Sequence, residues 1–172
     1  MAKWHSVTIG LVAATLVLSG CSGAKGESVQ IRDEAQVKKK VQGTSSQLLD
    51  IMGVKGKVSE PGPSTLACSD YPDDQTVHRM RHPWSVYGVP DDELRRAMDR
   101  LRDRLPRNGW KITKDGVDSS RSKSPQIIAE SSADRLAVDI RLGIEPAGGE
   151  YSSMIEVTVS SACFRSQSAD AA

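Results

Sequence analysis

Between residues 91 and 105 the apolar side chains recur as one stripe, Leu94, Ala97, Met98, Leu101 and Leu105, among Asp, Glu and Arg, which is helical spacing. Val89-Pro90-Asp91 supplies a start signal. Asp92 and Glu93 put negative charge in the first turn, where the helix dipole favours it, and Pro106 followed by Asn108-Gly109 is a stop. Asp92 with Arg96, Arg95 with Asp99, and Asp99 with Arg102 are spaced to pair along the surface, at about 0.2–0.5 kcal/mol each. Burial of the stripe, not these pairs, must hold such a helix in place. A second helical pattern covers 31–52, with Val37, Val41, Thr44, Leu48 and Ile51 on one side and Lys38, Lys39, Lys40 and Gln42 on the other. Gly43 weakens it and Gly53 ends it.

Elsewhere the period is two. Over 135–144, Leu136, Val138, Ile140, Leu142 and Ile144 alternate with Arg135, Ala137, Asp139, Arg141 and Gly143, so one face of that strand is buried and one is wet. Ile155, Val157, Val159, Ser161 and Cys163 form the apolar side of a last strand, opposite Glu156, Thr158 and Ser160, which points Cys163 into the core. Shorter strands are predicted at 110–113, 125–130 and 64–69, the last after a glycine- and proline-rich stretch at 56–63. In 76–87, Met80, Trp84 and Val86 face one way and Arg79, Arg81 and Ser85 the other. Pro83 inside this strand predicts an edge position, a bulge or a short element. The order predicts an α+β fold: a mainly antiparallel sheet of about five strands with two helices packed on one face. A single domain spans 31–164, and residues 165–172, polar and without periodicity, are expected to fray.

The N-terminus has a different pattern. One basic residue, Lys3, precedes an uncharged apolar run from Val7 to Leu18, the n-region and h-region of a secretory signal. The run is about a dozen residues against the roughly 20 that cross a bilayer, which argues against a permanent span. Leu18-Ser19-Gly20-Cys21 resembles the lipobox of bacterial lipoproteins: an aliphatic residue, two small ones that fit a narrow peptidase site, then a thiol that can carry a thioether. The resemblance implies a signal peptide over 1–20, diacylglycerol on Cys21, and cleavage before it. Two chains on one sulfur hold stably where a single acyl chain binds only marginally. It further implies attachment to the outer face of the cytoplasmic membrane, with 21–30 as lipidated cysteine and flexible linker. Together with the size and the arginine- and alanine-rich composition, the lipobox makes the chain similar to small uncharacterised lipoproteins of high-GC Gram-positive bacteria.

Cysteine use agrees with export. Beyond Cys21 there remain Cys68 and Cys163, an even pair that in an oxidising compartment reads as a disulfide, the alternative being two buried thiols. Loss of Lys3 with the signal leaves basic and acidic residues equal in number, which argues against nucleic-acid binding.

Signs of catalysis are few. His78 and His82 are the histidines of the exported part, no serine lies in a Gly-x-Ser-x-Gly elbow or in a Ser-x-x-Lys pattern followed by a helix, and no phosphate loop or Cys-x-x-Cys occurs. On a strand, His78 and His82 lie about 13 Å apart, too far to share a metal. No cofactor is indicated. Residues 71–87 concentrate Tyr71, His78, Arg79, Arg81, His82, Trp84 and Tyr87, three of the chain's seven aromatic residues among arginines, a composition that recognition surfaces favour. The expectation is a non-enzymatic binding or accessory module for an envelope protein or polymer. The alternatives are an envelope hydrolase and a carrier of an apolar ligand.

Overall fold

The computed structural model describes residues 29–59, 61–146, 149 and 151–167. The signal segment, Cys21 and the stretch to residue 28 lie outside these residues, as do 168–172. The elements run β1 (Gln30–Arg32), α1 (Glu34–Met52), β2 (Lys57–Val58), β3 (Ser64–Ala67), β4 (Val77–Tyr87), α2 (Asp91–Arg107), β5 (Lys111–Val117), β6 (Pro125–Ser131), β7 (Leu136–Gly143), β8 (Met154–Ser161) and β9 (Phe164–Ser166). The class is α+β. The sheet has nine strands rather than about five, in the order β1-β9-β4-β8-β7-β6-β5 with β2 and β3 also on β4. All pairs are antiparallel except β1 with β9.

Both helices cover one face of this sheet, α1 over β4 and β8, α2 over β5 and β7. Leu94, Ala97, Met98, Leu101 and Leu105 are all buried against Ile127, Val138, Ile140 and their neighbours in one continuous core. At about 2 kcal/mol per large apolar side chain, that burial outweighs the exposed Arg96 pairs to Asp92 and Glu93. Arg100 of α2 donates to the Met52 carbonyl, tying the second helix to the open end of the first. Gly56 lies so close to β4 that a Cβ there would stand 2.6 Å from the Tyr87 carbonyl oxygen and 2.5 Å from a Val89 methyl.

Several expectations are corrected. The first helix starts at Glu34, not near Ile31, because Asp33 caps it by accepting from the Gln36 N–H. Ile31 lies instead in β1, 70% exposed. β9 carries the paired chain through Arg165 and Ser166, which the sequence assigned to the tail, and Arg165 bonds Asp74. Ile51 is half-buried, and Met52 takes its place in the core.

β4 is the longest strand and central, not an edge. One side of it pairs with β8 and then, after a one-residue shift in register, with β9. The other side pairs with β3 at one end and β2 at the other. Ser85 exchanges hydrogen bonds with Ser59 on that second side, so Pro83, two residues earlier, turns its N–H-less nitrogen the same way. It therefore falls in the break between β2 and β3, where Pro61 and Pro63 also lack donors, and the ladder to β8 is untouched.

Cys68 and Cys163 are joined, with Cα atoms 6.2 Å apart. Cys68 is buried, but Cys163 is only half-buried, because β8 ends at Ser161 and the cysteine sits in the short link to β9 rather than on the apolar side of β8.

Candidate binding groove

Strand alternation divides the residues gathered at 71–87. His78, His82 and Trp84 turn to the helix-covered face, while Arg79, Arg81 and Tyr87 turn to the other. Tyr71 lies in the loop between β3 and β4, accepting from the Asp74 N–H. One contiguous patch is therefore not formed.

The covered half is structural. The Ser45 hydroxyl of α1 lies 3.1 Å from the Val41 carbonyl and 2.8 Å from His82 Nδ1. Burial holds the His82 pKa below the usual histidine value, favouring the neutral ring. The pair clips helix α1 to the sheet, and among the described residues no carboxylate hydrogen-bonds the His82 ring as a triad would require. His78 stacks edge-on against Phe164 at 4.5 Å and meets the Ser166 hydroxyl at 3.0 Å, which in turn donates to Glu34. Among the described residues no group of three or more His, Cys, Asp or Glu converges on a metal site.

The uncovered face carries a groove of about 600 Å³ across β4, β8 and β7. Register places its floor: Pro83 opposite Thr158 opposite Asp139, Ser85 opposite Glu156 opposite Arg141, and Arg81 opposite Ser160. Ser59 and Pro61 form one rim, in the segment that lifts away from β4 between its two short partners.

The opposite rim is held by a polar chain. Lys114 of β5 donates to Gln126, Gln126 donates to Asp139 at 2.7 Å, and Asp139 accepts from Arg141 at 2.8 Å. Gln126 is buried under this chain, so its amide is satisfied on both sides and its orientation fixed. The Asp139 carboxylate raises the Arg141 pKa.

Arg81 makes one long contact, its guanidinium reaching across to the Thr158 hydroxyl at 3.5 Å. Glu156 stands opposite Arg141 in register, and its charge adds to the rise in the Arg141 pKa. By contrast Arg79, also on this face, is engaged by Asp70 at 3.8 Å and lies 3.6 Å from Cys163 Sγ.

Of the residues singled out from sequence, the groove thus keeps Arg81 and the backbone around Trp84. Asp139, Arg141, Glu156 and Thr158 were legible as the wet sides of their strands, but the strand order that brings them together was not. In comparisons with known proteins, this chain matches no protein-family model, no curated protein and no solved structure.

Proposed function

We propose that this protein is an exported envelope lipoprotein, anchored through Cys21, whose folded domain is a non-enzymatic binding module working through the uncovered sheet face. The observation that carries the binding reading is the groove itself. A sheet face with no helix on it has a concave floor of Thr158, Ser160, Ser85 and Pro83, one rim stiffened by hydrogen bonds, and a charged lining of Arg81, Asp139, Arg141 and Glu156. Preorganised polar groups around a concavity are what polar ligands require. The polar lining favours this over an apolar carrier. Anchoring is supported by the lipobox at Leu18-Ser19-Gly20-Cys21.

Two experiments test the two halves. A photo-crosslinking residue at Thr158 in the native host should capture a specific adduct that the same residue at Arg95, on the outer face of α2, does not. Equal or absent labelling from both positions refutes the groove as a binding surface. Radiolabelled fatty acid should enter the wild type and not Cys21→Ala, and incorporation into both would rule out this anchor.

A further inference from the structure

We propose that two copies of this chain join edge to edge through β5, antiparallel and centred on Gly116, so that their two sheets become one. This goes beyond the groove and does not depend on it.

β5 is the long free edge of the sheet. It runs seven residues at the end of the strand order, against three for β1, two for β2 and four for β3. Ile112 aside, each of its residues is exposed. The Asp118 N–H donates to the Ser124 carbonyl across the pairing with β6, and alternation then turns the main-chain groups of Asp115 and Val117 outward. Unpaired groups of this kind are a template for another strand. Proteins blunt such edges with bulges and lysines, and β5 has these at its start: Lys111 opens it, and the register shifts between Ile112 and Lys114. From Lys114 onward the ladder is regular.

Charge complementarity selects the second strand. Where two copies of β5 pair about Lys114, lysine faces lysine; where they pair about Asp115, aspartate faces aspartate. Centred on Gly116, Lys114 of each copy stands opposite Asp118 of the other, and Asp115 stands opposite Val117, whose outward groups can then exchange hydrogen bonds. Lys114 has three N–H donors and already gives one to Gln126. The hydrogen bonds from Ser120 and Ser124 to Asp118 fall on its Oδ1, which leaves Oδ2 for the incoming ammonium.

Gly116 supplies an independent observation. A glycine inside a strand weakens it and often marks a place where another backbone approaches. A Cβ at 116 would meet nothing within 4 Å, and the residue is not at positive φ, so the fold of one chain does not itself require glycine there. Val117 beside it is 50% exposed and gains cover from the added strand. The two-fold axis of such a pair stands perpendicular to the sheet, so both grooves open on the same side.

The test is sedimentation equilibrium of the full-length protein in density-matched detergent, with amide exchange read over a dilution series. The wild type should form dimers, and exchange at Asp115 and Val117 should slow as concentration rises while that over Ser64–Ala67 stays constant. Val117→Pro removes an outward N–H without touching the ladder to β6, so it should leave the chain monomeric with an unchanged melting temperature. Lys114→Asp, which sets aspartate against Asp118, should weaken the dimer about tenfold, and Lys114→Arg should not. Arg95→Gln, on the outer face of α2, should associate like the wild type. A monomer at every concentration overturns the proposal, as does a dimer that Val117→Pro and Lys114→Asp both leave intact. Protection of Asp115 and Val117 that requires added envelope extract assigns the edge to a strand of another protein and overturns it as well. The Thr158 crosslink reports on the groove alone, so either reading can fail without the other.

Discussion

Replacing both Cys68 and Cys163 with alanine releases a loop closed over 95 residues. In the chain-entropy model that closure restricts the unfolded ensemble by roughly 4.7 kcal/mol at 25 °C. A domain of this size has a total stability of about 5–15 kcal/mol, so the variant should lose between a third and nearly all of it, with a Tm lower by roughly 10–20 °C. The loss should be felt first at β3, whose four residues are all exposed and which is held by its ladder to β4 and by the bridge just after it. Urea unfolding followed by circular dichroism gives the global figure, and amide exchange over Ser64–Ala67 gives the local one. Reduction of the wild type should reproduce both, and the unfolding slope should rise as the unfolded chain expands. A loss under about 1 kcal/mol, with β3 amides as protected as before, would refute the loop-closure reasoning.

Three further outcomes are expected. Leu101→Ala, at a fully buried position of the α2 stripe, should cost about 3 kcal/mol in the same urea assay, whereas Arg96→Ala on the opposite side should change the midpoint little. Gly56→Ala should destabilise by about 1–3 kcal/mol, since the added methyl meets the Tyr87 carbonyl and Val89 and the backbone oxygen cannot move aside without disturbing β4. An unchanged melting temperature would show that the β2 approach is loose. Hydrogen bonds from Thr76 and then Arg165 bring the Asp74 pKa down to about 2, so the folded state binds its proton later than the unfolded state. Stability from Asp74 is therefore complete above pH 4 and fades as pH falls from about 4 to about 2. Asp74→Asn should flatten the midpoint across that window and leave pH 7 behaviour governed by the remaining groups.

What the sequence disclosed and what it withheld divide along physical lines. The α2 stripe and the alternation of β7 and β8 were legible because each spans several repeats of its period and is buried in register, as Leu94 to Leu105 and Leu136 to Leu142 are. β1, β2 and β9 have two or three residues each, too few for any periodicity, and exist because β4 and β9 offer them a ladder. The true start of α1 did have a signal, Asp33 three residues before Gln36, which the neighbouring Ile31 obscured. Pro83 predicts an edge position, a bulge or a short element, whereas the structure breaks only one of the two edges of a long central strand there. The residues at 71–87 looked like one surface by proximity, while their own alternation, with Trp84 against Arg81, already sorted them onto two. The groove needed strand order, which nothing local encodes: Arg81 and Glu156 share one floor because β8 lies beside β4 and β7 beside β8.

The parallel pairing of β1 with β9 has a mechanical meaning. A pull on the chain ahead of Gln30 enters the folded domain through three residues at the border of the sheet. Because β1 and β9 run the same way, a load between the chain before Gln30 and the chain after Ser166 acts along both strands in opposite senses, so their hydrogen bonds resist together instead of opening one at a time. Behind that clamp, one residue before Phe164, the Cys163–Cys68 bond passes the load covalently to β3 on the far side of β4. Force arriving at β1 is thus spread across the centre of the sheet before it can unravel the edge.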